Sequence, residues 1–189
     1  NLRCSYCDSS YTWEEEGKKT SLQQILNRVC DHPGTMVELT GGEPLLQEDV
    51  YPLIQALLEH ERTVLIETNG SVSVERVAPA AHIILDIKCP GSGMEHSVNW
   101  ENLGHLRSRA QKGSHDEIKF VLSSPEDFFW AKKIIKQYAI HEVAPVLFSP
   151  NEETFAAREL AELILQHRIK ARLQLQLHRV IWPDTHRGV

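Results

Sequence analysis

No apolar run in this chain comes near the roughly 20 residues that a membrane-spanning helix requires, and the opening Asn1-Leu2-Arg3 lacks the basic-then-apolar order of a signal peptide. Cysteine is scarce. The four thiols, Cys4, Cys7, Cys30 and Cys89, are unevenly spaced and two share one short loop, which argues against a disulfide framework and fits a reducing, cytoplasmic setting. Positive charge is in deficit, 20 Lys and Arg against 26 Asp and Glu, so no general basic surface invites nucleic acid. Lys132, Lys133 and Lys136 read as the solvated face of an amphipathic helix. Repeats, linkers and low-complexity stretches are also missing. What remains is one domain over residues 1–189, with 41% hydrophobic residues for its core.

Against that background two strings stand out, Cys4-Ser5-Tyr6-Cys7-Asp8-Ser9 and, about thirty residues on, Thr40-Gly41-Gly42-Glu43-Pro44. A [4Fe–4S] cluster normally takes four thiolates, one per iron; with three, one iron stays open for S-adenosylmethionine. The signature for that arrangement needs a cysteine separated from Cys4 by three residues, which falls immediately before Asn1. The chain therefore reads as a truncated form that begins inside a motif. A bare CxxC is equally half of a zinc site or a redox pair, and those alternatives stay open on the two cysteines alone.

Periodicity gives strands and helices in alternation. Helices are expected through Leu22, Ile25, Leu26 and Val29, capped by Thr20 or Ser21, and through Val50, Leu53, Ile54, Leu57 and Leu58. Further helices are expected through Leu103 and Leu106, from Pro125 behind Ser124, and from about Asn151 to His167. Strands are expected at Met36–Thr40, Thr63–Thr68, His82–Ile87, Glu117–Leu122, Glu142–Ser149 and through the alternating Arg172–Leu177. Pro145 marks the fifth as an edge or irregular strand. Such alternation implies an α/β fold with a parallel sheet, right-handed crossovers, and ligands at the carboxyl ends of the strands.

The strings Gly41-Gly42-Glu43-Pro44, Glu67-Thr68-Asn69-Gly70, Asp86-Ile87-Lys88 and Ser123-Ser124 obey that rule. Gly41 and Gly42 let backbone approach a ligand, and with Glu43 they suit the amino group of a methionine moiety; an ordinary turn is the alternative. Tyr6 suits a ring lying over adenine. Asp8 and Ser9 suit Mg²⁺, or else a local Asx turn. Lys88 either pairs with a carboxylate or points into water. Cys30 is expected in the core, and Cys89 in a loop or the site lining. Val180, Ile181 and Trp182 are expected to pack, leaving His178 near the strand ends as a substrate contact or a structural histidine.

These strings, with Glu67-Thr68-Asn69-Gly70, Asp86-Ile87-Lys88-Cys89-Pro90 and the Gln176-Leu177-His178 to Arg187-Gly188-Val189 ending, resemble the 7-carboxy-7-deazaguanine synthase family of radical S-adenosylmethionine enzymes. The resemblance implies a partial (β/α)6-type barrel whose first strand, with a Gln-x-Glu substrate contact, an arginine and the first cluster cysteine, is missing here. It implies ring contraction of 6-carboxy-5,6,7,8-tetrahydropterin with loss of ammonia, begun by hydrogen abstraction at C6, in the queuosine and deazapurine pathway. By position it assigns Cys4 and Cys7 to the cluster, Ser9 to Mg²⁺, and Tyr6, Cys7, Asp8, Gly42, Glu43, Asp86, Lys88 and Ser123 to S-adenosylmethionine. Thr40, His178 and the Val189 carboxylate fall to the pterin. It further implies a homodimer fed by a reductase such as flavodoxin, with no direct nucleic-acid or membrane partner. A glycyl-radical activating enzyme and a non-catalytic or zinc-binding protein on the same scaffold are the rivals.

Overall fold

The computed structural model describes residues 1–182. Six parallel strands form one sheet in sequential order, β1 (Met36–Leu39), β2 (Thr63–Thr68), β3 (His82–Asp86), β4 (Glu117–Leu122), β5 (Val146–Pro150) and β6 (Ala171–Leu173). Each strand pairs with the next, so the sheet is open at β1 and β6. Helices α1 (Tyr11–Glu14) and α2 (Leu22–Cys30) precede the sheet; α3 (Val50–Glu59), α4 (Asn102–Ala110), α5 (Pro125–Gln137) and α6 (Ala157–His167) lie between strands, and α7 (Leu177–Ile181) follows. Among the described residues no helix is long and apolar enough to cross a membrane.

Local chemistry explains the elements. Ser21 caps α2 by accepting from the Gln24 N–H while the Gln24 side chain accepts from the Ser21 N–H, a reciprocal capping box. Ser124 accepts from the Asp127 N–H and Pro125 supplies a preset first turn, which starts α5. Consecutive Ile83, Ile84 and Leu85 are buried on both faces of β3, as a parallel strand covered on both sides requires. Phe148 holds the centre of the core, meeting Phe120 and Phe128 edge-on at 5.8 Å each. Such pairs add about 0.5–1.5 kcal/mol beyond their burial.

Several of these expectations fail. The fifth strand starts at Val146 rather than Glu142, and it is a wholly buried interior strand between β4 and β6. Pro145 is tolerated because it precedes the strand, where its carbonyl still accepts from Ile118 N at 2.9 Å. Asn151 opens a turn, accepting from the Thr154 and Phe155 N–H groups, so α6 waits until Ala157. The ladder of β6 ends once Gln174 N reaches Phe148 O, and Leu177 begins α7 despite the alternating pattern. Val180, Ile181 and Trp182 are 57%, 57% and 48% exposed rather than packed, and Cys30 is exposed at the end of α2.

Candidate active site

A cavity of about 900 Å³ opens at the carboxyl ends of the strands, bounded by the cysteine loop, the Thr40–Gly42 turn and α7. The cysteine loop is placed by long-range bonds. Ser5 donates its N–H to Ser92 O (3.1 Å) and its hydroxyl to Gly91 O (2.7 Å), and Gly91 N in turn donates to Asp127 Oδ1 (2.8 Å). A β-carbon at Gly91 would collide with the Asp127 carboxylate, so this seat needs glycine. Cys7 N donates to Cys4 O at 3.2 Å, and both cysteines line the cavity. Burial pushes the Cys4 thiol up, with Lys88 pulling it down.

Tyr6 also lines the cavity and donates its hydroxyl to Val121 O at 3.4 Å. Burial, then the Asp86 charge, pushes its phenol far above the ordinary value, so it stays protonated. Thr40, Gly41 and Gly42 form another part of the wall. Gly41 has φ +131°, which only glycine adopts without strain. Glu43 stands behind that wall rather than in it. Its carboxylate accepts from Leu45 N (3.0 Å), Asn69 N (2.7 Å) and the Thr68 hydroxyl (2.9 and 3.0 Å), binding the end of β1 to the end of β2.

The floor is charged. Lys88 Nζ bonds Asp86 Oδ2 at 2.7 Å, and Lys119 Nζ bonds Glu67 Oε1 at 2.6 Å. Burial opposes the charge on Lys88, but Asp86 outweighs it and holds the ammonium above its ordinary pKa. Lys119 behaves alike, raised by Asp86 and Glu67 against its burial. Glu38, on the edge strand, is pushed above the usual glutamate value by partial burial and by Glu67. Glu38, Glu67 and Lys119 were not singled out as site residues from sequence. The available signal was a charged residue inside an apolar strand, as in Ile118-Lys119-Phe120.

The remaining assignments divide. Ser9 donates to Asp8 Oδ1 at 3.0 Å, and Asp8 Oδ2 accepts from Gln176 Nε2 at 3.2 Å and lies 3.7 Å from Arg179 Nη2 and 4.0 Å from His178 Nε2. His178 therefore reaches the cavity beside the cysteine loop. Among the described residues no group of three or more His, Cys, Asp or Glu is arranged to hold a metal ion. Ser123 is not part of the cavity lining, although its buried hydroxyl has no partner. Cys89 is fully buried in the core rather than lining the site. Val189 lies outside the described residues.

Asp86 Oδ1, Ser149 Oγ and Gln174 Oε1 are buried without a partner, and all three residues line the cavity. Orphaned polar atoms of this kind cost about 1–3 kcal/mol each unless a ligand or water satisfies them. Together with the open space beside the Gly42 backbone they fit a ligand rich in amino, carboxylate and hydroxyl groups, as S-adenosylmethionine is. Cys4 and Cys7 fit two of a cluster's three thiolates, while Cys30 and Cys89 lie away from the cavity.

The profile of the radical SAM superfamily matches residues 1–87. The 7-carboxy-7-deazaguanine synthase of Chlorobaculum tepidum is 39% identical over 98% of this chain and 83% of its own length. That of Koribacter versatilis is 38% identical over 100% of this chain and 87% of its own. The crystal structure of QueE from Escherichia coli superposes with a TM-score of 0.68 at 21% identity, covering 93% of this chain and 80% of that one, which supports the fold. The chain belongs to the 7-carboxy-7-deazaguanine synthase family of radical S-adenosylmethionine enzymes, a superfamily that implies a [4Fe–4S] cluster and S-adenosylmethionine as cofactors.

Proposed function

We propose that this enzyme converts 6-carboxy-5,6,7,8-tetrahydropterin to 7-carboxy-7-deazaguanine with loss of ammonia. The observation that carries this reading is the single cavity in which the cysteine loop, the glycine turn and a charged floor of Glu38, Glu67, Asp86, Lys88 and Lys119 meet. When bound, the cluster and S-adenosylmethionine would supply the radical chemistry that this ring contraction needs.

The chain's own residues bind and orient. Cys4 and Cys7 would hold the cluster, and Tyr6, kept protonated, closes one side of the cavity as an apolar wall. Gly42 leaves its backbone open to the amino end of S-adenosylmethionine, while Asp86 and Lys88 present one unsatisfied acceptor and one ammonium to its polar groups. Asp8 lines the same cavity. Glu43 acts behind it, fixing the glycine turn through the end of β2. Thr40 and His178, both in the cavity lining, contact the pterin in this reading. Mg²⁺ would take the Ser9 hydroxyl, with substrate and water completing its shell, because this ion keeps few protein ligands. A low-potential donor of flavodoxin type would supply the electron.

Anaerobic reconstitution of the intact protein with iron and sulfide, followed by incubation with the carboxytetrahydropterin and a reductant, tests the assignment. Product of the mass of 7-carboxy-7-deazaguanine, formed with stoichiometric ammonia, is the expected result. A brown, cluster-loaded protein that leaves this pterin untouched overturns it.

A further inference from the structure

Five ionisable groups from four adjacent strands converge on the cavity floor: Glu38 of β1, Glu67 of β2, Asp86 and the following Lys88 of β3, and Lys119 of β4. Three are acids and two are bases. Lys88 pairs with Asp86 at 2.7 Å and Lys119 with Glu67 at 2.6 Å, so each ammonium already has its carboxylate. Glu38 is the odd acid. It is registered against Leu65 of the neighbouring strand, so Glu67, two residues further along, lies on the same face; both carboxylates line the cavity, and Lys119 is already paired with Glu67.

Neighbouring carboxylates on one face disfavour each other's ionisation, so a proton held between them relieves the repulsion. The floor balances when Glu38 and Glu67 share one proton. Lys119 then fixes the Glu67 end, at 10% exposure, while Glu38 keeps the side open to the cavity. That is the arrangement of a proton donor whose partner can take the proton back.

Resting on the substrate reading above, we propose that the Glu38–Glu67 pair is the acid and base of the ammonia-releasing step. The ring carbon–nitrogen bond breaks with its electron pair going to nitrogen, and the shared proton goes with it, so nitrogen leaves as ammonia. A proton from the ring carbon then passes to the pair as the new five-membered ring becomes aromatic. The pair ends as it began, and the step consumes no oxidant or reductant, in keeping with an overall change that is only the loss of ammonia. Hydrogen abstraction at C6 does not involve the pair.

Glu38→Gln keeps shape and hydrogen-bonding reach while removing the proton. Infrared difference spectra of the protein without substrate at neutral pH are expected to show a protonated-carboxyl band that disappears in Glu38→Gln and in Glu67→Gln. No such band in the wild type overturns the proposal. With C6-deuterated pterin and the reconstituted enzyme, Glu38→Gln is expected to keep deuterium transfer into 5′-deoxyadenosine and to slow ammonia release ~100-fold. Equal loss of both, or loss of neither, overturns it. A wild type that keeps the infrared band yet takes no deuterium from this pterin overturns the substrate reading, and the assigned acid–base role with it.

Discussion

Gly41 and Gly42 are neighbours in sequence but differ in what each needs. A β-carbon at Gly41 would meet nothing within 4 Å, yet its φ of +131° is closed to side-chain-bearing residues. Gly41→Ala should therefore cost about 1–3 kcal/mol of backbone strain, seen as a lower melting temperature. At Gly42 the backbone is ordinary, and a β-carbon would touch only Thr12 Oγ1 at 3.7 Å. Gly42→Ala should leave stability within about 0.5 kcal/mol. It should instead weaken S-adenosylmethionine binding to the cluster-loaded protein, because the added methyl occupies space beside the cavity wall. Equilibrium titration beside thermal melts separates the two effects, and wild-type affinity in Gly42→Ala would remove that glycine from the binding site.

At the scale of elements, the position of α7 rests on a few polar contacts. Arg179 bridges Glu153 at 2.9 Å and Asp8 at 3.7 Å, and Gln176 adds its bond to Asp8. The apolar side chains of α7 stay exposed, so no core contact fixes its place. Exposed ion pairs contribute about 0–1 kcal/mol. Arg179→Ala should thus leave the urea midpoint nearly unchanged while speeding amide exchange over residues 174–182, and unchanged exchange there would show that the helix is held otherwise. The same weakness explains what sequence could reveal. β2 and β4 lie where Thr63–Thr68 and Glu117–Leu122 were expected, because burial on a parallel sheet writes a dense apolar pattern. Arg172 to Leu177 carries alternation too, but a strand needs a partner ladder, and β5 supplies one only as far as Gln174. The cavity lining at Gly41, Gly42 and Asp86 was legible from strand-end position, and that at Cys4 and Cys7 from the spacing of the two cysteines. Glu38 and Lys119 were not singled out, since their roles arise from cross-strand neighbours that no local window contains.

Over the whole molecule, stability and chemistry sit at opposite ends of the sheet. Arg109, from the last turn of α4, donates to both oxygens of Asp116 at 2.7 and 3.2 Å and to the carbonyls of Val77, Ala78 and Ala81. Asp116 also accepts from Ile83 N at 2.8 Å and from the Ser114 hydroxyl. This buried network joins the segment between β2 and β3 to the entry of β4. Ile83 and the cavity residue Asp86 are three residues apart on β3, a separation of about 10 Å along the strand. Arg109→Met strips the guanidinium from a carboxylate that is 3% exposed and removes its bonds to three backbone carbonyls, of which Ala78 O keeps the Ala81 N–H. Breaking one side of a buried ion pair costs about 3–5 kcal/mol. The urea midpoint should fall by that equivalent with an unchanged slope, since the surface exposed on unfolding is the same. Cluster content and turnover per folded molecule should match the wild type at temperatures where the variant stays folded, because no atom of the network touches the cavity. A variant that folds normally but turns over slowly would mean that the two ends of the sheet are mechanically coupled.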